Sequence, residues 1–167
     1  MTSKLQKLNA APEEEFVRVV GPVYEHSPHF ARRAAAGRPF AKADDLRQAL
    51  RSEVNGAPAA EKLELIQAHP DLVGRAVLTA ESQGEQAAAG LADLSPAEAE
   101  SFRRHNAAYR DKFGFPFIIC ARMNKKEAIL EAFPLRLQND AEAERLAALD
   151  EIHKIAALRL HDILWEN

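Results

Sequence analysis

Only one run of this chain, Phe115-Pro-Phe-Ile-Ile-Cys120, has the apolar, aromatic and β-branched make-up of a strand. No second run of that kind exists to pair with it, and even two paired strands alone are marginal in water. The run therefore reads as a buried extended segment, and helices must build the core. The expectation is an all-α fold, a compact single domain over residues 1–167 with about eight helices.

The helix boundaries are well punctuated. Pro12 with Glu13, Glu14 and Glu15 suits a first turn, where a missing N–H costs nothing and acids face the positive end of the helix dipole. Phe16, Val19 and Val20 would be that helix's buried face, with Gly21-Pro22 as its stop. Ser27 and Pro28 read as N-cap and first position of a second helix carrying Phe30 and Ala34 and closed by Gly37. Leu46, Leu50 and Val54 recur at helical spacing, and Asn55-Gly56 ends that pattern. Pro58 opens the next helix, with Leu63 and Ile66 on its face. It must stop near His69, because Pro70 bars the preceding residue from helical angles.

Ser82-Gln-Gly-Glu85 fits a capping box for a helix through Ala87, Ala88 and Ala89, closed by Gly90. Ser95-Pro-Ala-Glu98 repeats the signature and opens a longer helix with Phe102, Asn106, Tyr109 and Phe113 along one side, ended by Gly114. Asn124 with Glu127 suits the start of a helix through Ile129 and Phe133, kinked or broken at Pro134. From about Asp140 to Trp165 a last helix would bury Leu146, Leu149, Ile152, Ala156, Leu160, Ile163 and Leu164. Arg145 and Arg159 read as surface partners of acids on that same helix.

Charge and cysteine content exclude several functions. The 25 acids and 22 bases are scattered, net −3, with no basic block to neutralise a row of phosphates, so no nucleic-acid partner is expected. A single cysteine, Cys120, precludes an intramolecular disulfide, and no Cys/His cluster has zinc spacing. No apolar stretch approaches the about 18 residues of a membrane span, the N-terminus lacks a signal-peptide core, and the chain ends WEN rather than in a peroxisomal tripeptide. A soluble cytoplasmic protein without membrane contact is the expectation.

The chemistry-bearing side chains concentrate between Ala68 and Leu91, where His69, Asp71, Arg75, Ser82, Gln83, Glu85 and Gln86 occur. A histidine at a helix end before a proline is held by the backbone, and the dipole there favours its protonated form, as a general acid requires; the plain alternative is a C-terminal cap. Ser82 and Glu85 are accounted for by the capping box, whereas Gln86 is not. A glutamine in a first turn offers an acceptor and two donors to a urea or amide edge, beside N–H groups that can receive an anion. Arg122, carried on the apolar run, could grip a carboxylate or imide bidentately or pair with a nearby acid. Cys120 reads as apolar filler. His26 and His29 lack a third ligand, so no metal site is expected.

HPDL at 69–72, ESQGEQAAAGL at 81–91 and FGFPFIICAR at 113–122 together resemble the family of 2-oxo-4-hydroxy-4-carboxy-5-ureidoimidazoline (OHCU) decarboxylases of urate breakdown. VYEHSPHFA, RPF and KIAALRLHDIL in the flanks are similar too, so the resemblance covers nearly the whole chain. His29, where an aromatic such as Trp is common, and Pro134 depart from the pattern outside those motifs. The resemblance implies an all-α fold and a decarboxylation of OHCU to (S)-allantoin and CO2 with no cofactor. It implies His69 as proton donor, with Glu85 as a second catalytic candidate whose charge could hold an imidazolium or order a substrate N–H. Substrate contacts carried over are Pro70, Ser82, Gln83, Gly84, Glu85, Gln86, Phe117, Ile118, Ile119, Cys120, Ala121 and Arg122. The partner is then a small-molecule substrate, OHCU, with a homodimer and a functional coupling to hydroxyisourate hydrolase left open. Two other readings compete: a non-catalytic helical module holding a urea- or purine-like ligand, and a metal-dependent hydrolase using His26, His29 and His69.

Overall fold

The structure, a computed structural model, describes residues 3–74 and 77–165, so Arg75 lies outside the described residues. Among these there are nine α-helices and three short 3-10 turns, and no strand. No helix among them is long and apolar enough to cross a membrane. The chain divides into two compact units, one running to Ala68 and resuming at Ala156, the other His69–Ile155.

The first unit holds α1 (Lys4–Ala10), α2 (Glu13–Val20), α3 (His29–Ala34), α4 (Ala43–Asn55), α5 (Ala59–Gln67) and the last part of α9 (Ala141–Trp165). Helix α1 was not legible from apolar spacing. Its signal is a capping box, with Gln6 N–H donating to Ser3 Oγ at 3.2 Å and Ser3 N–H to Gln6 Oε1 at 2.8 Å. Pro12 is the N-cap of α2 rather than its first residue, and the buried face is Phe16, Val17 and Val20, not Val19. Likewise Pro28, not Ser27, is the N-cap of α3, because the Ser27 hydroxyl donates to Glu25 C=O at 2.8 Å. Helix α4 buries the expected Leu46, Leu50 and Val54. Helix α5 buries Leu65 and Ile66, with Leu63 only half-buried.

Arg159 corrects an expectation. It is not a surface partner of its own helix: its side chain is buried against the equally buried Glu25, 2.8 Å away, and donates to Pro22 C=O at 3.1 Å. Such a partner comes from a remote loop, which helical spacing cannot reveal.

The second unit holds α6 (Ala80–Ala88), α7 (Pro96–Phe113), α8 (Lys126–Leu137), a 3-10 turn at Ala121–Met123 and the first part of α9. Ser95 caps α7 through the expected box with Glu98, and Gly114 ends it at φ +76°, a backbone state that glycine adopts freely. Helix α8 packs on α7 and runs through Pro134 rather than breaking there. The proline stands near the helix's end, so only a late-turn bond is forfeited. Lys125 is the N-cap of α8, because the Asn124 amide instead donates to Cys120 C=O at 2.9 Å. The early turns of α9 bury Glu144, Ala148 and Ile152, while Leu146, expected inside, is 64% exposed. A buried carboxylate displaces the apolar stripe from the register its spacing suggested.

Candidate active site

Two helices of the second unit, α6 and α7, hold the HPDL turn. His69 is buried and is the second residue past the end of α5; Pro70 after it is half-buried. The turn is gripped from α7, where Arg110 Nε lies 2.9 Å from Asp71 Oδ1 and Asn106 Nδ2 donates to Leu72 C=O at 2.7 Å. It is also gripped from α6, where Gln86 Oε1 accepts the Val73 N–H at 3.2 Å. Val73 has φ +56°, a costly conformation for a β-branched residue that persists only where its surroundings impose it.

Helix α6 starts one turn earlier than its sequence suggested. Thr79 is the N-cap, accepting Ser82 N–H at 3.1 Å, so the Ser82–Glu85 capping box is not formed. The correction removes the capping box as the account of Ser82 and Glu85 and moves Gln86 out of the first turn. Ser82, Gln86 and Ala89 form the buried face at helical spacing, Glu85 is half-buried beside them, and Gln83 and Gly84 are exposed.

The 3-10 turn Ala121–Met123 packs against α6, and the start of α8 is tied to the C-cap of α6 by Lys126 N–H donating to Ala89 C=O at 3.1 Å. Phe117, Ile118, Ile119 and Cys120 are buried in an extended run, as expected of that segment, and Ala121, buried too, opens the 3-10 turn. Phe117 stacks on Phe133 at 3.9 Å between centroids and meets Tyr109 edge-on at 5.3 Å. Arg136 donates to Ile118 C=O and lays its guanidinium over the Phe117 ring. Burial pushes the Cys120 thiol up, and the Glu151 and Glu85 carboxylates push the same way, which suits a filler rather than a nucleophile. Arg122, expected on buried chain, is exposed on the turn.

Outside this cluster, His29 pairs with Glu61 at 3.0 Å, and no group of three metal-capable side chains occurs among the described residues. Sequence reasoning missed Thr79, Asn106 and Arg136 as site supports. Thr79 was detectable as a cap one turn upstream, whereas Asn106 and Arg136 act across long sequence separations.

Comparison with known proteins agrees with this geometry. The sequence profile described as OHCU decarboxylase matches residues 9–161. The 2-oxo-4-hydroxy-4-carboxy-5-ureidoimidazoline decarboxylase of Amia calva is 43% identical over 96% of this chain and 94% of its own. The uric acid degradation bifunctional protein PucL of Bacillus subtilis is 37% identical over 98% of this chain but only 33% of its own length. A crystal structure of an OHCU decarboxylase in the presence of (S)-allantoin superposes with a TM-score of 0.74 at 26% identity, over 92% of this chain and 99% of that one. The chain belongs to the OHCU decarboxylase family.

Proposed function

We propose that His69 delivers the proton in the decarboxylation of OHCU to (S)-allantoin and CO2, the reaction this carboxy-lyase catalyses in urate degradation. The C–C bond to the carboxylate breaks and its electron pair passes into the adjacent C=N of the substrate ring. The carbon that lost CO2, now an enol carbon, becomes a carbonyl as its hydroxyl gives up a proton, while the neighbouring ureido-bearing carbon takes up the proton the imidazole delivers, which solvent then replaces. Because the ring itself accepts the pair, the chain's tasks are to orient the substrate, exclude water from one face and place an acid.

The observation that supports this reading is that Gln86, on the buried face of α6 with Ser82, holds the turn that follows His69, while the same helix packs against the 3-10 turn that begins at Ala121. Glu85 is half-buried beside the Ser82–Gln86 face, and the proposal gives its carboxylate the task of ordering a substrate N–H or holding an imidazolium. Gly84 is a second support. A glycine inside a helix costs about 1 kcal/mol relative to alanine, yet a Cβ at Gly84 would meet nothing within 4 Å. Packing does not require that glycine; a ligand lying against the helix backbone would. Gln83 and Arg122, both exposed, would close over the polar edges of the substrate, and Pro70 and the backbone of Ile118, Ile119 and Cys120 would form its floor.

Functional coupling to hydroxyisourate hydrolase is part of the same reading, supported by a relative described as bifunctional in uric acid degradation. The proposal extends to a cytoplasmic homodimer, which fractionation and light scattering would check. The decisive assay feeds urate through urate oxidase and hydroxyisourate hydrolase to this protein and follows allantoin by circular dichroism. Dextrorotatory or levorotatory signal accumulating faster than spontaneous decay supports catalysis. Ligand binding without such acceleration would favour the non-catalytic module.

A further inference from the structure

We propose that Asn106 is a positioning residue for His69: with Gln86 it fixes the Leu72–Val73 peptide and thereby the direction in which the HPDL turn presents its imidazole. The inference rests on the reading of His69 as proton donor.

The two hydrogen bonds concerned fall on one peptide unit. Its carbonyl, on Leu72, accepts from Asn106 Nδ2 at 2.7 Å, and its N–H, on Val73, donates to Gln86 Oε1 at 3.2 Å. Both amide orientations follow from the chemistry, since a carbonyl can only accept and an N–H only donate. Two side chains from different helices, α7 and α6, therefore hold one peptide plane at both ends. That peptide leads into Val73 at φ +56°, so the clamp sits where the backbone is strained and would otherwise relax. Relaxation there would swing the turn three residues after His69.

Asn106 contributes more than the neighbouring grip. The Arg110–Asp71 pair is partly exposed, with 46% and 28% of the side chains accessible, and exposed pairs constrain little. Asn106 is 7% exposed, and its Oδ1 is a buried acceptor with no hydrogen-bond partner among the described residues. A residue selected for stability alone would not keep an unsatisfied oxygen inside; one selected to aim a donor at Leu72 tolerates it. The same geometry gives Gln86 two jobs. Its oxygen holds the turn while its NH2 remains the donor for a carbonyl or carboxylate of the substrate, so occupancy at α6 and the stance of the turn are linked.

The test compares Asn106→Leu and Asn106→Asp with the native enzyme. Asn106→Leu should lower kcat about tenfold or more with KM within about threefold, because small misplacements of a catalytic group cost rate rather than binding. It should also lower the enantiomeric purity of allantoin, since a misaimed donor lets water compete. Asn106→Asp should regain activity relative to the native enzyme as pH falls, because a protonated carboxyl can again donate to Leu72. Ile129→Val, a core change in α8, serves as the stability control and should keep both kcat and purity. Full kcat and purity in Asn106→Leu, or equal losses in the control, would overturn the proposal. His69→Asn tests the underlying assignment separately. If that variant retains full rate and purity, the donor lies elsewhere and the positioning role falls with it. If it is inactive while Asn106→Leu is fully active, only the positioning role falls.

Discussion

Arg136 Nε lies 2.6 Å from Oε1 of Glu144, a carboxylate with no solvent exposure at all. The same carboxylate accepts from Tyr109 Oη at 2.6 Å and Asn139 Nδ2 at 3.0 Å, so three donors converge on it. Arg136 in turn holds Ile118 C=O, which makes this network the back wall of the Phe117–Ala121 segment. Burial and the bond to Glu144 push the Tyr109 phenol up, so it stays a donor throughout the physiological range.

A buried ion pair is costly to break from one side, because the remaining charge stays desolvated. Glu144→Ala should therefore lose about 3–5 kcal/mol of unfolding free energy, and Arg136→Met a similar amount. Urea denaturation followed by helicity measures both. A loss within the range of an exposed pair would mean that the network is solvated in solution.

The relocated cap separates two roles that one motif had seemed to combine. Thr79→Ala should cost about 1 kcal/mol through loss of the N-cap, with the chemical step little changed once the protein is folded. Glu85→Gln should do the opposite, leaving the melting temperature in place and reducing turnover by about 100-fold, the scale of losing a charge-assisted contact in a transition state. Thermal melts and initial rates on both variants decide it. A Glu85→Gln protein with native kinetics would return that residue to a surface role.

These outcomes mark where sequence reading succeeds. Leu46, Leu50 and Val54, and the Ser95–Glu98 box, were legible because helix periodicity and capping are local. The segment 115–120 was legible by elimination, since a strand needs a partner. Ser82 was misassigned because it starts a complete Ser-x-x-Glu signature, whereas the true cap, Thr79, has Ser82 rather than an acid at the third position. Arg159 was misplaced, and the burial of Glu144 went unread, for a different reason. Each is a charged residue whose burial depends on partners remote in sequence or on a loop carbonyl, and no period of the helix encodes them. The family's motifs were readable as sequence; the hydrogen bonds of Asn106 and Arg136 to the segments that carry them were not.

Glu98 gives a pH prediction with a definite sign. The Ser95 backbone N–H, followed by Lys126, stabilises its carboxylate and holds its pKa below the ordinary 4.5. A carboxyl depressed in the folded state adds stability that is complete above its unfolded pKa and is lost as pH falls through the folded one. The melting temperature should thus decline on acidification below about pH 4.5, and Glu98→Gln should flatten part of that decline. An identical acid slope in the variant would assign the effect to other carboxylates.

Arg122 is exposed on its 3-10 turn, where the proposed function gives it a substrate contact. Lysine keeps the charge but loses the planar two-pronged donor. Arg122→Lys should leave the unfolding midpoint unchanged and weaken (S)-allantoin binding about tenfold, as calorimetry would read it. Lower stability with intact binding would instead make it an ion-pair residue.

The proton donor carries the most specific expectation. Spontaneous loss of CO2 from OHCU yields a planar delocalised intermediate that water can protonate on either face, so a single enantiomer requires an acid fixed on one side. His69 is buried, Pro70 restricts the backbone that carries it, and the peptide three residues on is clamped by Asn106 and Gln86. His69→Asn preserves size and polarity and removes only the titratable nitrogen. The variant should keep native helicity and still bind (S)-allantoin, yet accelerate OHCU loss no faster than buffer, with the allantoin formed showing no net optical activity. Circular dichroism reads the product and the fold in the same experiment. Near-native rate with full enantiomeric purity would remove His69 from the reaction, and the acid would then have to be sought on α6, where Glu85 is half-buried beside the Ser82–Gln86 face.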